Sequence, residues 1–228
     1  MGVTSDLGKV EELVQSKKLL VFDFDGVLAD SVEVKTDAFS ALYEPYGSEV
    51  AAEVVNHHRN NGGMSRFEKF KHYHKEFLNK NIDENKIASL SEEFSSLVVE
   101  KVISTKEILG AGEFLKRFCT KEKLCTVNSA TPLNEIKAIV KARGLSHFFQ
   151  GVYGSPNSKQ DNLVEIRNAF DVDMKAGVFF GDAQSDFNAA KAMGMDFIGV
   201  GKKIIDILEN ENGEWLVVND FNGLINGA

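Results

Sequence analysis

The chain contains 228 residues, of which 43% are hydrophobic and 26% are charged, and its formal net charge is −8. At roughly 150 residues per domain, this length predicts one compact domain with a sizeable insertion, or two small domains. The apolar fraction is sufficient for a buried core and excludes a wholly disordered chain. The negative charge argues against a protein that binds nucleic acid through bulk positive charge.

The two cysteines, Cys119 and Cys125, are too few for a disulfide scaffold, and both lie in apolar surroundings. We predict that they are small core residues of a cytoplasmic protein. No apolar run approaches the roughly 18 residues that a membrane-spanning helix requires. The segment 1–18 is partly acidic and lacks the apolar stretch of a signal peptide. We therefore expect no membrane partner and no nucleic-acid partner.

The first elements of the chain are predicted to be a short amphipathic helix over 7–15 and a buried strand over 19–22. The strand consists of Leu19-Leu20-Val21-Phe22, and Asp23 and Asp25 follow it. A short apolar run of this kind, bounded by turn residues, is typical of a parallel strand that is covered on both faces.

The segment 32–105 is predicted to be almost wholly helical. Ser65 and Glu68 have the spacing of a capping box, and Gly62-Gly63 breaks the helices just before it. A second helix is predicted over 87–102. After the capping box, apolar and aromatic residues recur on one helical stripe, formed by Phe67, Phe70, His74, Phe77 and Leu78.

Strands and helices alternate from Gly110 onward. This alternation predicts right-handed βαβ units and an open parallel sheet. In such sheets ligands bind at the carboxyl ends of the strands. The predicted helices are 111–121, 132–143, 160–170 and 185–193. The predicted strands are 124–127, 151–153, 177–180, 197–200 and 215–218.

Polar residues with complementary chemistry stand at four successive strand ends. Clustered carboxylates repel one another unless a cation neutralises them, and a ligand set of oxygens without Cys or His favours Mg²⁺. A divalent cation beside a hydroxyl and an ammonium suits a phosphate group. These residues are Asp23, Asp25, Ser129, Lys159, Asp182 and Asp186.

Each of these residues also has an ordinary interpretation when it is taken alone. Asp25-Gly26 is typical of a hairpin turn, Ser129 could cap the next helix, and Lys159 could be a solvated surface lysine. Asp182 could be a loop residue, and Asp186 could stabilise the dipole of the helix that follows. All of these interpretations would have to hold at once and in chain order, which favours a shared site.

Taken in order, the residues resemble the motifs of the haloacid dehalogenase-like hydrolase superfamily. The segment Asp23-Phe24-Asp25-Gly26-Val27 is similar to its first motif, Asp-x-Asp-x-Thr/Val. Ser129 matches the second motif and Lys159 the third. Gly181-Asp182, with Asp186 four residues after Asp182, matches the fourth.

The resemblance covers nearly the whole chain and implies its architecture. The implied fold is α/β, with a Rossmann-like parallel sheet core flanked by helices and an inserted all-helical cap domain. The core would consist of 1–31 and 106–228, and the cap of 32–105. One departure is that many relatives have proline after the lysine of the third motif, whereas Gln160 stands here.

The resemblance also implies a mechanism. Asp23 would be the nucleophile that forms an aspartyl-phosphate, and Asp25 would be the general acid and base. Mg²⁺ would be held by Asp23, the Asp25 backbone carbonyl and Asp182, with Asp186 close by. The phosphate oxygens would be bound by Gly26, Ser129, Ala130 and Lys159.

The predicted cap is locally basic although the chain is acidic. Four of the five histidines lie between His57 and Lys75, together with several lysines and arginines and one acid, Glu68. The ordinary interpretation is a solvated helix face. The alternative is that one group of residues faces the core and binds the leaving group of the substrate; this group is Arg59, Asn60, Arg66 and Lys69.

The main prediction is a Mg²⁺-dependent phosphomonoesterase, monomeric or homodimeric, that acts on a small phosphorylated metabolite such as a phosphosugar or a phosphoglycolate-like acid. The alternative is a sugar phosphomutase of the β-phosphoglucomutase type, which excludes water. A phosphonate hydrolase would need a Schiff-base lysine, for which Lys35 and Lys69 are candidates. A non-catalytic binding protein is disfavoured because every motif position carries a competent residue. A nicotinamide dehydrogenase fits poorly, because Gly199-Val200-Gly201 lacks a third glycine.

Overall fold

The computed structural model describes residues 2–225, and its centre is a parallel sheet of seven strands. The strands are β1 (Gly2–Thr4), β2 (Leu19–Phe22), β3 (Leu124–Pro132), β4 (Gly151–Ser155), β5 (Gly177–Gly181), β6 (Asp196–Val200) and β7 (Glu214–Val218). Their order in the sheet is β1-β7-β6-β5-β2-β3-β4, and every pairing is parallel. The predicted Rossmann-like sheet is therefore confirmed.

Helices connect the strands and cover both faces of the sheet. They are α1 (Leu7–Ser16), α2 (Val32–Tyr43), α3 (Ser48–Asn60), α4 (Arg66–His72), α5 (Glu84–Ser104), α6 (Ala111–Phe118), α7 (Leu133–Ala142), α8 (Lys159–Phe170), α9 (Gln184–Ala192), α10 (Lys203–Glu209) and α11 (Asn222–Ile225). A π-helical turn, Tyr73–Phe77, follows α4 directly.

Strand β2 is buried on both faces, as its apolar run predicts. Leu20 and Phe22 pack into one hydrophobic cluster, whereas Leu19 and Val21 pack into a second cluster. The side chains alternate in this way because successive residues of a strand point to opposite faces of the sheet. The Phe22 ring stacks on that of Phe180 in β5, with 4.8 Å between the centroids. This packing fixes the position at which β2 ends.

The segment 32–104 is inserted between β2 and β3, and its described residues include no strand. Its helices pack around aromatic rings: the Phe39 ring of α2 lies 4.4 Å from that of Phe94 and 5.9 Å from that of Phe70. The capping box predicted for α4 is confirmed, because the Ser65 hydroxyl accepts from the Glu68 amide and the Glu68 carboxylate accepts from the Ser65 amide. The boundaries of the cap domain stay a prediction.

The two ends of the helical segment return to the sheet side by side. The amide of Asp30 donates to the carbonyl of Lys106 at 2.9 Å. The hydroxyl of Thr105 donates to the carbonyl of Asp30 at 2.7 Å. These bonds link the segment that leaves the sheet after β2 to the segment that returns to the sheet after α5.

The structure differs from the sequence-based elements mainly at short segments. Strand β1 was not predicted, because three residues at the sheet edge carry no period that a pattern could detect. Helix α10 is not among the predicted elements, because it has only seven residues and its N-cap residue, Lys202, is not of a type that signals a helix start. Strand β3 continues to Pro132, past a register irregularity that begins at Asn128.

Two expectations drawn from composition can be compared with the structure. Cys119 and Cys125 are both free, and Cys125 is buried while Cys119 is half-buried. No helix in the described part of the chain is both long and apolar enough to cross a membrane.

A prediction about stability concerns Arg143, which follows α7. One of its guanidinium nitrogens donates to the carbonyls of Val102, Ile103 and Thr105 at 2.9, 3.0 and 2.8 Å, at the C-terminal end of α5. These carbonyls have no partner within their own helix. We expect Arg143→Met to lower the free energy of unfolding in urea by about 1–3 kcal/mol.

The matched control is Lys141→Met, since Lys141 is an exposed cation on α7. We expect this substitution to change the free energy of unfolding by less than about 0.5 kcal/mol. Equal losses in the two variants would show that the carbonyl contacts of Arg143 contribute nothing of their own.

Candidate active site

Asp23 lies immediately after β2, at the carboxyl edge of the sheet and between the ends of β3 and β5. Its amide continues the ladder by donating to the carbonyl of Phe180 at 2.9 Å, and its carboxylate accepts from the amide of Phe24 at 2.7 Å. The residue is only 5% exposed. Two bonds thus hold Asp23 rigidly at the centre of the edge where ligands bind in parallel sheets.

Three aspartates meet at this edge. One carboxylate oxygen from each of Asp23, Asp182 and Asp186 lies within 4.8 Å of the other two. Asp182 directly follows β5, and Asp186 lies in the first turn of α9. We call these three residues the carboxylate cluster.

Burial controls the ionisation of the carboxylate cluster. It raises the pKa of Asp23 to about 7, although Lys159 opposes the shift. Burial also raises the pKa of Asp182, and the charges of Asp23 and Asp186 raise it further. The pKa of Asp186 is raised by burial as well. Because neighbouring anions disfavour one another, more positive charge is needed to keep all three ionised.

Lys159 supplies one positive charge to the cluster. Its Nζ lies 2.8 Å from Asp23 Oδ2 and also bonds to Asp186 Oδ1. Burial favours the neutral amine, but Asp186 and Asp23 outweigh it and raise the pKa of Lys159. One lysine among three carboxylates leaves the cluster with an excess of negative charge.

The N-terminus of α8 positions Lys159. Ser158 and Asp161 form a capping box, and Lys159 is the first residue of the helix. The side-chain amide of Asn128 donates to the carbonyl of Lys159 at 2.9 Å, and Asn162 donates to Asn128 at 2.9 Å. The helix end is therefore tied to β3, even though Gln160 replaces the proline that many relatives have.

The donor set of the cluster fits a hard divalent cation. Carboxylate oxygens are the ligands that Mg²⁺ prefers. Asp186 is already bonded to Lys159 and to the amide of Ala183, the latter at 3.1 Å. The Asp182 carboxylate, in contrast, has no hydrogen-bond donor among the described residues, so its oxygens are available to a metal.

Asp25 lies outside the carboxylate cluster, in a separate hydrogen-bond network. Its carboxylate accepts from Ser31 at 2.6 Å and from Thr131 at 3.2 Å, and it pairs with Lys35. Lys35 also donates to the Thr131 hydroxyl at 2.7 Å. Burial raises the pKa of Asp25, but Lys35, Ser31 and Thr131 together bring it below its usual value.

Sequence reasoning did not identify this Asp25 network, which consists of Asp25, Ser31, Lys35 and Thr131. Lys35 was considered only as a Schiff-base candidate, and the two hydroxyl residues were not singled out. The spacing between Asp25 and Lys35 carries no signal by itself. The pairing arises because the start of α2 passes over the end of β2.

Gly26 allows Asp182 to approach the first motif. Gly26 has a φ of +80°, and a Cβ atom built on it would lie 2.2 Å from Asp182 Oδ2. A side chain would therefore be strained by the backbone and blocked by the carboxylate. The absence of a side chain at Gly26 thus allows Asp182 to take its place in the carboxylate cluster.

The predicted phosphate-binding residues of β3 occupy different positions. Ser129 is 1% exposed, and its hydroxyl accepts from the amide of Thr131 at 3.1 Å. Ala130 and Thr131 line the cavity described next, whereas Ser129 is not among its described lining residues.

A cavity of about 100 Å³ lies between the sheet edge and the helical segment. Asp23, Asp25 and Asp182 line it on the sheet side. The four cap residues selected from the sequence line the opposite side; they are Arg59, Asn60, Arg66 and Lys69. The structure therefore brings both groups of candidates to one cavity.

Both arginines of the predicted cap, Arg59 and Arg66, form ion pairs with acids. Arg66 is buried and bonds to both carboxylate oxygens of Glu135 in α7, at 3.0 and 2.5 Å. Arg59 is exposed and pairs with Glu33 at 2.8 Å. The basic face of the cap is thus only partly solvated, and its contact with a substrate stays a prediction.

Comparisons with known proteins agree with this architecture. The model of the haloacid dehalogenase-like hydrolases matches residues 20–200. A search of curated protein sequences found no match. At identities of 20% or less, the likeness to the solved structures described next establishes the fold alone.

Three of the similar structures show which kinds of protein share this fold. β-Phosphoglucomutase from Clostridium difficile has a TM-score of 0.71 and 20% identity, over 91% of this chain and 93% of that one. A predicted phosphoglycolate phosphatase from Haemophilus somnus has a TM-score of 0.69 and 17% identity, over 92% and 97%. CbbY from Rhodobacter sphaeroides, solved with phosphate, has a TM-score of 0.69 and 17% identity, over 91% and 96%.

A substitution at Gly26 tests the close approach of Asp182, with Gly201→Ala as the matched control. Gly201 has a φ of +83° and nothing within 4 Å of a built Cβ. Both alanines incur the left-handed backbone cost of about 1–2 kcal/mol. We expect Gly26→Ala to lose roughly 1–3 kcal/mol more in urea unfolding, since it displaces an enclosed carboxylate. Equal losses would contradict the steric role of Gly26.

Proposed function

Because this chain belongs to the haloacid dehalogenase-like hydrolase family, we propose that it is a Mg²⁺-dependent phosphomonoesterase. Its substrate is a small phosphorylated metabolite, and the reaction proceeds through an aspartyl-phosphate. The observation that carries the proposal is the carboxylate cluster, which lies beside Lys159 and two of whose members, Asp23 and Asp182, line the same cavity as Asp25. The family match makes the chain a hydrolase-type enzyme, and the phosphatase chemistry is inferred from this site.

The metal would be held by Asp23, by Asp182 and by the backbone carbonyl of Asp25, with Asp186 close by. Bound there, Mg²⁺ supplies the positive charge that lets a carboxylate and a phosphate approach each other. The available oxygens of Asp182 and the raised pKa of Asp23 both support this assignment.

Asp23 is the nucleophile in the proposed reaction. One of its carboxylate oxygens attacks phosphorus, a bond forms between them, and the ester P–O bond breaks. The leaving alkoxide takes a proton from Asp25. In the second step Asp25 takes a proton from water, whose oxygen attacks phosphorus and releases inorganic phosphate and the Asp23 carboxylate.

The Asp25 network suits the second of these steps. Lys35 and the two hydroxyl groups stabilise Asp25 as a carboxylate, which is the form that accepts a proton from water. In the first step Asp25 must carry a proton, which this network does not favour. The positive charge of Lys35 therefore favours the ionised form of Asp25, which the second step requires.

The phosphate group would lie between the carboxylate cluster and the end of β3. We assign its oxygens to the amide of Ala130, which lines the cavity, and to the ammonium of Lys159. The predicted contacts with Gly26 and Ser129 would require a rearrangement, because the Gly26 amide donates to the Ala29 carbonyl at 2.8 Å and Ser129 is not among the described lining residues. Lys159 is already held 2.8 Å from Asp23, so it accompanies the nucleophile. The positive charge of Lys159 would offset the negative charge that develops on the phosphoryl group during transfer.

The remaining elements of the proposal follow from the same site. The leaving group would face Arg59, Asn60, Arg66 and Lys69 across the cavity. We propose a cytoplasmic enzyme, monomeric or homodimeric, that needs no nucleic-acid or membrane partner. The two free cysteines agree with a reducing compartment.

A phosphomutase is the second candidate, and the fold shared with β-phosphoglucomutase from Clostridium difficile favours it. The two activities differ in what accepts the phosphoryl group of the aspartyl-phosphate. A phosphatase transfers it to water and releases inorganic phosphate, whereas a mutase returns it to a sugar phosphate. Mass spectrometry of the products in ¹⁸O-water separates them, because only hydrolysis places ¹⁸O in inorganic phosphate.

Asp23→Asn tests the proposed nucleophile. We expect turnover of p-nitrophenyl phosphate to be abolished, because an amide cannot attack phosphorus, while the thermal midpoint changes little because the shape is kept. The matched control is Asp171→Asn, at an exposed position after α8, which should retain full activity. Residual hydrolysis above a few per cent in Asp23→Asn would refute the assignment.

Metal titration distinguishes Asp182 from Asp186. Asp182→Ala is expected to raise the Mg²⁺ concentration for half-maximal activity by more than about 100-fold, since it removes a direct ligand. Asp186→Ala should raise it by about 10- to 100-fold, because Asp186 acts through Lys159 and the Ala183 amide. Equal shifts in the two variants would contradict this division of roles.

A further inference from the structure

Lys69 is a buried cation without an acidic partner. It lies on α4, is 1% exposed and lines the cavity. Among the described residues, no Asp or Glu forms an ion pair with it. The other buried or half-buried cations of the cavity do have such partners, since Lys35 pairs with Asp25 and Arg66 with Glu135.

The immediate contacts of Lys69 leave its charge uncompensated. Its Nζ lies 2.7 Å from His58 Nδ1 and 5.4 Å from the centroid of the Phe39 ring. Burial lowers the pKa of His58 to about 2, and the charge of Lys69 contributes to this shift. The His58 ring is therefore neutral, and its Nδ1 accepts a hydrogen bond from the ammonium of Lys69. Burial, reinforced by Lys35, lowers the pKa of Lys69 to about 7.

An isolated buried ammonium is unfavourable unless an anion accompanies it. His58 uses one of the three N–H groups of Lys69, and none of the described side chains occupies the other two. Lys69 and His58 both line the cavity that contains Asp23. An anion that enters this cavity raises the pKa of Lys69 again, so it meets an ammonium with one positive charge.

We propose that Lys69 and His58 form a binding subsite for a carboxylate on the leaving group, so that the substrate is a small phosphorylated carboxylic acid. This inference rests on the proposed phosphatase function and names its substrate class. A carboxylate fits because it carries one negative charge, which matches the single uncompensated charge of Lys69. A neutral polyol would leave that charge unpaired.

The test is direct binding of two matched three-carbon esters. The probes are 3-phosphoglycerate and glycerol 3-phosphate, which differ by a carboxylate in place of a hydroxymethyl group. Binding is measured by calorimetry on the full chain carrying Asp23→Asn, with saturating Mg²⁺, so that no turnover interferes. We expect the acid to bind about 10-fold more tightly or better, as for a charge-assisted hydrogen bond.

The same measurement on Lys69→Met tests whether this residue provides the preference. We expect the affinity ratio to fall to about one, because Met keeps the bulk of the side chain without its charge. The matched control is Lys71→Met on the same helix, where Lys71 is exposed and pairs with Glu84, and the preference should remain. If Lys69→Met does not fold, Lys69→Gln, which retains a hydrogen-bond donor for His58, takes its place.

Two results would overturn the subsite: equal affinities of the two esters for the Asp23→Asn protein, or an unchanged preference after substitution of Lys69. Turnover of both esters by the wild-type enzyme separates this outcome from failure of the proposed function. Hydrolysis without preference would leave a phosphatase without this subsite. Tight binding of the acid without turnover of any phosphate ester would leave the subsite and reject the phosphatase.

Discussion

The arrangement of the site depends on one electrostatic constraint: two buried carboxylates and a half-buried one share a single lysine. Asp23, Asp182 and Asp186 come from the ends of two adjacent strands and the helix that follows, so the sheet itself forces their charges together. Lys159 neutralises only part of this charge. The absence of a side chain at Gly26 allows Asp182 to approach the first motif. Hydrogen bonds from Asn162 to Asn128, and from Asn128 to the carbonyl of Lys159, hold the start of α8 at this site. The three carboxylates and one lysine leave a net negative charge that a further cation would balance.

Two ion pairs of different character join the helical segment to the rest of the described chain. Lys35 contacts Asp25 at the proposed reaction centre, whereas Arg66 contacts Glu135 on the first turn of α7. A buried pair contributes little net stability, but the loss of one partner costs about 3–5 kcal/mol, because it leaves a charge without compensation. The Arg66–Glu135 pair therefore fixes the position of the segment over the cavity more than it stabilises the fold.

The sheet and the carboxylate cluster could be predicted because their signals are local. An apolar run of four residues identifies β2, the alternation of strands and helices implies a parallel sheet, and the rule for strand ends then selects Asp23 and Asp182. The capping box at Ser65 was predictable for the same reason, since both partners lie within four residues. In each case the interacting residues are close in sequence, or the general rule for strand ends identifies them.

The partners of the cap residues could not be predicted, because they are distant in sequence. Arg66 and Glu135 are separated by 69 positions, and Lys35 and Thr131 by 96. From sequence, Arg66 and Lys69 are equivalent cations on one side of a helix. Only the fold distinguishes them, because it provides a carboxylate to Arg66 and a neutral imidazole to Lys69. In the proposed subsite, the selectivity of the cavity comes from Lys69, the buried basic residue that the described residues leave without a counterion.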